Sequence, residues 1–180
     1  MSIFLQKTYQ DFNLTLRSPK KNDVEALLDY INTLSQEKTF VSKQSEIMSL
    51  EKEKEYLDHI LKKIKQKKNL HILAFADQSL IGNVGIELGK LTQRHIGSLG
   101  ISVRKNYRGQ GIGSLLMKTV LKQASTQLPG IEIVELTVQK PNKIARKMYK
   151  KFGFKEYGLL PNGVKLEKGY RDHILMYKTM

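Results

Sequence analysis

Arg108-Gly109-Gln110-Gly111-Ile112-Gly113 is the stretch on which the reading of this sequence turns. It lies between a strand-like run, Ile96–Val103, and a helical pattern that opens near Ile112 and continues through Leu115, Leu116, Thr119 and Val120. Glycines at a strand-to-helix junction permit positive φ and a close backbone approach, and the free N–H groups of the first helical turn point at whatever sits there. The junction therefore reads as an anion site. Backbone donors and the helix dipole would hold a pyrophosphate, with Arg108 adding charge-assisted contacts. Two common phosphate motifs do not fit. Gly113 is followed by Ser114-Leu115-Leu116, with no Walker lysine to meet a γ-phosphate, which excludes ordinary ATP and GTP hydrolysis. A dinucleotide fingerprint starting at Gly109 puts Ser114 where its third glycine belongs, and no acidic residue ends a strand about 20 residues on, so NAD is disfavoured.

Outward from this junction the periodicities alternate. Upstream, Leu14-Thr15-Leu16-Arg17 reads as a strand ending at Ser18-Pro19. Asn22-x-x-Glu25 resembles a capping box before Val24, Leu27, Leu28 and Ile31 at helical spacing. Tyr56, Leu57, Ile60, Leu61 and Ile64 mark a second helix, with acidic residues near its start and lysines at its end. Residues 70–76 and 80–88 then read as two strands joined at Asp77-Gln78-Ser79. Downstream, the helix that opens near Ile112 stops near Pro129-Gly130, and residues 131–138 return to a strand. Ile144, Ala145, Met148, Tyr149 and Phe152 form the face of a last helix, with Gly153 placed for a left-handed C-cap. Residues 155–160 and 170–177 are further strands around a turn at Pro161-Asn162-Gly163. The order β-α-α-β-β-β-α-β-α-β-β predicts an α/β (α+β) sandwich with a partly antiparallel sheet, and no linker or repeat divides it, so residues 1–180 are expected to form one domain.

Composition narrows the chemistry. The chain has 180 residues and no cysteine, so it has no disulfide framework, no Cys-ligated metal and no cysteine nucleophile. No G-x-S-x-G elbow supplies a serine nucleophile either. The N-terminus is too briefly apolar for a signal peptide and no run approaches a membrane span, so a cytoplasmic protein without a membrane partner is expected. Lys and Arg number 31 against 17 Asp and Glu, a formal charge of +14, which attracts polyanions of any kind. Nucleic acid is disfavoured as a partner, because the lysines from Lys62 to Lys68 lack interleaved aromatics and no recognised nucleic-acid motif appears.

The glycine-rich stretch resembles the acetyl-coenzyme A signature R/Q-x-x-G-x-G/A of the GCN5-related N-acetyltransferase (GNAT) family. A second stretch supports the resemblance: Glu135-Leu136-Thr137-Val138, Asn142, Ala145, Tyr149 and Lys151-Phe152-Gly153-Phe154 are similar to the family pattern L-x-V-x-x-x-N-x-x-A-x-x-x-Y-x-x-x-G-F. Tyr170-Arg171-Asp172-x-x-x-Met176 resembles members that acetylate amino acids and similar small amines. The resemblance implies a mixed, partly antiparallel central sheet of about 6–7 strands flanked by about 4 helices. It implies acetyl-coenzyme A as cosubstrate and no metal. In this family the cofactor enters where two adjacent parallel strands splay, here Ile96–Val103 and the strand at residues 131–138. Ile101, Ser102 and Val103 would then offer backbone groups to the pantetheine amides. Arg108, Gly109, Gln110, Gly111, Ile112, Gly113 and Ser114 would hold the pyrophosphate, and Lys143, Arg146 or Lys147 would meet the adenosine phosphate. Asn142 is both a candidate helix cap and a candidate cofactor contact.

The implied reaction is direct attack of a primary amine on the thioester in a ternary complex. The amine is expected to be a small molecule such as an amino acid or polyamine; a protein N-terminus or lysine is the alternative, and a non-catalytic coenzyme A-binding or nucleic-acid-binding module is the alternative of another class. Such a site needs proximity, a base for the ammonium proton, an oxyanion donor and a proton for the leaving thiolate. The resemblance assigns the last to Tyr149. His95 is a candidate base, since histidines titrate with an unperturbed pKa of about 6.5, and Glu135 and Glu87 are rivals; a water chain is a third choice. Some ribosomal-protein acetylating members use a glutamate where this chain has Thr137, a departure that argues against transferring their base. The oxyanion donor is expected to be the N–H of Ser102 or Val103. A homodimer is one oligomeric state that the sequence permits.

Overall fold

The computed structural model describes residues 2–37, 40, 47–166 and 169–180. Eight strands are ordered β1-β2-β3-β4-β5-β6-β8-β7. The chain divides into two compact units, Met1–Ile86 with Gly100–Pro129, and Glu87–Leu99 with Gly130–Met180.

In the first unit β1 (Ile3–Thr8) pairs antiparallel with β2 (Asn13–Arg17), and β2 pairs antiparallel with β3 (Asn69–Ala76). The start of β4 (Ser79–Leu88) follows β3 directly. The helices are α1 (Val24–Gln36), α2 (Leu50–Lys65) and α3 (Ile112–Gln127). Leu27, Tyr30 and Leu34, one face of α1, pack with Leu57 of α2 and with Leu73, Phe75 and Leu80. All positions of β3 are buried, so its apolar residues run continuously instead of alternating. Among the described residues no helix is long and apolar enough to cross a membrane.

In the second unit the first half of β5 (Ile96–Val103) pairs parallel with β6 (Ile133–Gln139). β6 then pairs antiparallel with β8 (Tyr170–Thr179), and β8 with β7 (Lys155–Lys165). Between β6 and β7 lies α4 (Lys143–Lys151). Val134, Leu136, Val138, Ile174 and Met176 form the buried face of this part of the sheet.

Three sequence expectations are corrected. The first strand is β1, not the run at Leu14, so the sheet has eight strands against the six or seven expected. β1 is an edge strand whose residues are exposed or half-buried, and an edge without a buried face leaves no apolar alternation to read. Asn22 is not the cap of α1. A short 3-10 turn at Lys21–Asp23 precedes the helix, and Asp23 organises it: its carboxylate accepts both Arg17 Nη atoms at 2.7 and 2.8 Å and the Lys20 N–H at 2.7 Å. Pro161-Asn162-Gly163 is a bulge inside β7 and not a turn between two strands. Asn162 takes φ 55°, and its N–H donates to the Asp172 carboxylate at 3.1 Å, which holds the extra residues against β8. Beyond β7 the Leu166 N–H donates to the Gly169 carbonyl at 2.9 Å.

His71 sits inside β3, and burial lowers its pKa from the usual 6.5 to about 4. Its Nδ1 would lie 2.7 Å from a Cβ on Gly85, so the two positions are packed against each other. A folded pKa below the unfolded value means that the neutral ring contributes stability above pH 6.5, which is lost as pH falls towards 4. Urea unfolding should therefore show a loss approaching about 3 kcal/mol between pH 7 and pH 4 that is absent in His71→Gln. Equal pH slopes in the two proteins would contradict this assignment.

Candidate functional site

In the first unit, β5 runs into a 3-10 turn at Lys105–Tyr107, anchored by the Arg104 N–H donating to the Ile81 carbonyl at 2.8 Å. Gly109 and Gly111 then take φ of 80° and 83°, the left-handed region in which a side chain is disfavoured. Gly111 is the N-cap of α3 and has no side chain with which to cap it. Helical bonding begins with the Leu115 N–H donating to the Gly111 carbonyl, so Ile112, Gly113 and Ser114 present the uncapped N–H groups. A Cβ built on Gly109 or Gly111 would meet nothing within 4 Å. The backbone therefore frames an open cradle lined by amide donors, and this donor set fits a pyrophosphate. Ile112 contributes only backbone, because its side chain is in the core, whereas Ser114 is exposed.

Arg108 does not point freely at this cradle. Its Nε donates to the Val103 carbonyl at 2.8 Å, and its Nη2 pairs with Glu37. Gln110 donates to the Asn106 carbonyl at 3.2 Å, a bond internal to the loop. Ser102 Oγ lies 2.9 Å from the Tyr30 hydroxyl, and burial, the largest influence on that phenol, pushes its pKa upward. Ile101, Ser102 and Val103 are half-buried.

In the second unit the parallel ladder runs from Ile96↔Ile133 to Ser98↔Glu135 and includes no pair at Leu99. Asn142 is the cap of α4: its Oδ1 accepts the Ala145 N–H at 3.2 Å. Arg146 is committed to Glu156 through Nε and Nη2, at 3.3 and 2.9 Å, and its Nη1 donates to the Lys140 carbonyl at 3.2 Å. Lys143, Arg146, Lys147, Lys150 and Lys151 line a concavity of about 480 Å³. Tyr149 is 7% exposed, and burial pushes its phenol up to about 12. Its ring lies 6.0 Å from that of Phe154.

The proposed bases differ in their surroundings. His95 is half-buried just before β5, and its carbonyl accepts the N–H groups of Glu132 and Ile133 at 2.8 and 3.2 Å. Glu135 accepts a hydrogen bond from Tyr157, a partner that no sequence pattern announced; burial first, then the Glu135 charge and this bond, raise the Tyr157 pKa. Leu136, Met176 and Glu156 occupy one row across β6, β8 and β7, and Glu156 is the residue that ties down Arg146 and Lys150 of α4. Glu135, one position along β6, faces the other way. It is therefore not brought together with the groups on α4. Among the described residues no group of three or more His, Asp or Glu side chains is placed to hold a metal ion.

Comparison with known proteins bears directly on this geometry. A family model described as the acetyltransferase (GNAT) family matches residues 30–154. The L-amino acid N-acetyltransferase AaaT of Escherichia coli (strain K12) is 31% identical over 88 residues, covering 48% of this chain and 54% of that protein. The chain thus spans little more than half the length of the curated relatives it matches, 54% and 58%. The crystal structure of a GNAT-family acetyltransferase from Streptococcus pneumoniae superposes with a TM-score of 0.84 at 29% identity, covering 93% of this chain and 99% of that one. A RimL ribosomal-protein α-N-acetyltransferase in complex with coenzyme A has a TM-score of 0.82 at 14% identity, over 99% and 98% of the two chains, a likeness of fold.

The cradle rests on φ and not on crowding, and that separates two substitutions. Gly111→Val should lose about 2 kcal/mol in chemical denaturation, because a β-branched residue is forced into the left-handed region. Gly100→Ala, with equally open surroundings and no positive φ, should stay within about 0.5 kcal/mol of the parent protein. Equal losses in the two variants would mean that conformation is not what Gly111 supplies.

Proposed function

The chain belongs to the GNAT acetyltransferase family, and from that premise we propose that it transfers an acetyl group from acetyl-coenzyme A to a primary amine in a ternary complex. The observation that carries the proposal is the uncapped start of α3, where two left-handed glycines leave amide donors around open space. On this reading residues 1–180 act as one acetyltransferase domain, and what supports it is that the family match over residues 30–154 includes parts of both units.

Acetyl-coenzyme A, when bound, supplies the thioester: the amine nitrogen forms a bond to the acyl carbon, the carbon–sulfur bond breaks, and coenzyme A leaves as a thiolate. The chain's own residues hold and position. The N–H groups of Ile112, Gly113 and Ser114 take the pyrophosphate, and the resemblance to the family, not a contact seen here, gives Lys143 or Lys147 the adenosine phosphate. The N–H of Ser102 or Val103 faces the developing oxyanion. With no cysteine in the chain, no thiol nucleophile offers a covalent route.

Tyr149 is the proposed proton donor to sulfur. With a pKa of about 12 it keeps its proton throughout the physiological range. A thiol has a pKa of about 8.5, so complete transfer from this phenol runs uphill, and its contribution is a hydrogen bond to the developing thiolate. The ammonium proton is assigned to His95, whose ring carries no hydrogen bond among the described residues, whereas Glu135 already accepts one from Tyr157.

The acceptor is proposed to be a small amine that also carries a carboxylate. Supporting this are the partial likeness to an L-amino acid N-acetyltransferase, the Tyr170-Arg171-Asp172 stretch and the positive field of the chain. The amine panel that tests it, read by thiol release from acetyl-coenzyme A, should favour amino acids, with kcat/KM falling as salt rises. A preference for uncharged amines that ignores salt would reject the acceptor class, and no thiol release at all would reject the enzyme. Tyr149→Phe should lower kcat by about tenfold to a hundredfold while coenzyme A affinity stays within about twofold; unchanged kcat removes Tyr149 from the mechanism. His95→Gln should lower kcat/KM about tenfold or more, and a parental value assigns the base elsewhere.

A further inference from the structure

Arg108, the cation expected at the pyrophosphate, spends its guanidinium on two groups of the protein itself. Its Nε donates to the Val103 carbonyl at the end of β5, and its Nη2 pairs with Glu37 Oε2. The other carboxylate oxygen, Glu37 Oε1, accepts the Lys105 N–H at 3.0 Å. One side chain therefore holds both ends of the 3-10 turn that separates β5 from the glycines. Glu37 can do so because it is itself fixed. It caps the C-terminus of α1, its N–H donates to the Leu34 carbonyl at 3.2 Å, and Leu34 is wholly buried in the core. The Glu37 side chain is only 9% exposed, so its charge is poorly solvated and depends on Arg108 and the Lys105 amide for compensation.

We infer that Glu37 is a positioning residue for the cofactor loop: through Arg108 and the Lys105 N–H it holds residues 104–111 in the shape that aims the first amides of α3. This rests on the reading of that loop as the pyrophosphate site. Two left-handed glycines make the loop locally permissive, and a permissive loop loses entropy when a ligand fixes it. A brace installed on folding removes that cost from the binding step. It also gives Arg108 a role other than direct charge contact. A single N–H donor would serve the Val103 carbonyl, but only arginine also completes an ion pair with Glu37.

Two measurements test the inference and separate its failure from that of the cofactor reading. The first is amide hydrogen exchange without ligand. Glu37→Gln should raise exchange across residues 104–111 about tenfold while the buried turns of α1 keep parental rates. Unchanged loop exchange overturns the brace whatever the loop binds. The second is calorimetric titration with coenzyme A. Glu37→Gln should weaken affinity about tenfold, and in turnover the rise should fall on KM for acetyl-coenzyme A rather than on kcat. Arg108→Gln leaves the Glu37 carboxylate with the Lys105 N–H but no counter-charge and should weaken binding more, whereas the double variant, with no lone charge left, should bind better than Arg108→Gln alone. Independent, multiplying losses, or parental affinity in Glu37→Gln, would overturn the inference. A parental chain that gives no heat with coenzyme A, together with loop exchange that responds to Glu37→Gln, would leave the brace standing and defeat the cofactor reading.

Discussion

The start of α3 is held open by a conflict between two requirements of the polypeptide. A helix needs its first N–H groups satisfied, usually by a Ser, Thr, Asp or Asn side chain at the cap. Here the cap is Gly111 in the left-handed region, which can turn the chain out of the 3-10 segment but brings no acceptor, and no acidic residue follows in the first turn. The amides are therefore left to water or to an anion. By contrast α2 and α4 are capped by Ser49 and Asn142, each accepting a backbone N–H from its own first turn. α1 also starts without a side-chain cap bond, but a 3-10 turn runs directly into it, whereas at α3 left-handed glycines leave the space in front open.

The arginines and lysines of this basic chain do different work. Arg17, Arg104, Arg108 and Arg146 are each engaged by a carboxylate: Asp23, Asp29, Glu37 and Glu156 respectively. Planar, multidentate donors suit such fixed contacts, and several of these arginines also bond a backbone carbonyl. The arginines thus serve mainly as local fasteners. The excess of charge resides in lysines, as on α4, where Lys143, Lys147 and Lys151 have no side-chain partner among the described residues. A field made by hydrated ammonium groups attracts anions without dictating their geometry.

What could be read from the sequence followed the range of the interaction responsible. The glycine-rich junction, the Asn142 cap and the left-handed Gly153 are local, set by residues within a few positions of each other, and they stand where the pattern placed them. Strands with a buried face were legible through their apolar residues. β1 has no such face and was missed, and the bulge in β7 looked like a turn because its Pro-Asn-Gly composition is the same in both settings. The Arg17–Asp23 clasp displaced the Asn22 cap because a doubly bonded carboxylate, nearly buried, outweighs an exposed amide. Glu37 and Tyr157 were invisible for a different reason. The former meets Arg108 across a sequence separation of 71 residues, and the latter meets Glu135 only because β7 and β6 flank β8.

The two units differ in how they treat buried tyrosines, and this sets what each can contribute to chemistry. Tyr30 is locked: its hydroxyl is shared with Ser102, and Arg104 lies 5.6 Å from its ring, so it is a strut between α1 and the end of β5. Tyr149 is nearly as well buried, yet its hydroxyl has no hydrogen-bond partner among the described residues. The Tyr149 hydroxyl is not among the fully buried polar atoms that lack a partner, so it reaches the surface of the second unit while the ring packs against Phe154. Burial of the ring keeps this phenol protonated well above neutral pH, so what its surface-reaching oxygen offers is a donor and not a charge.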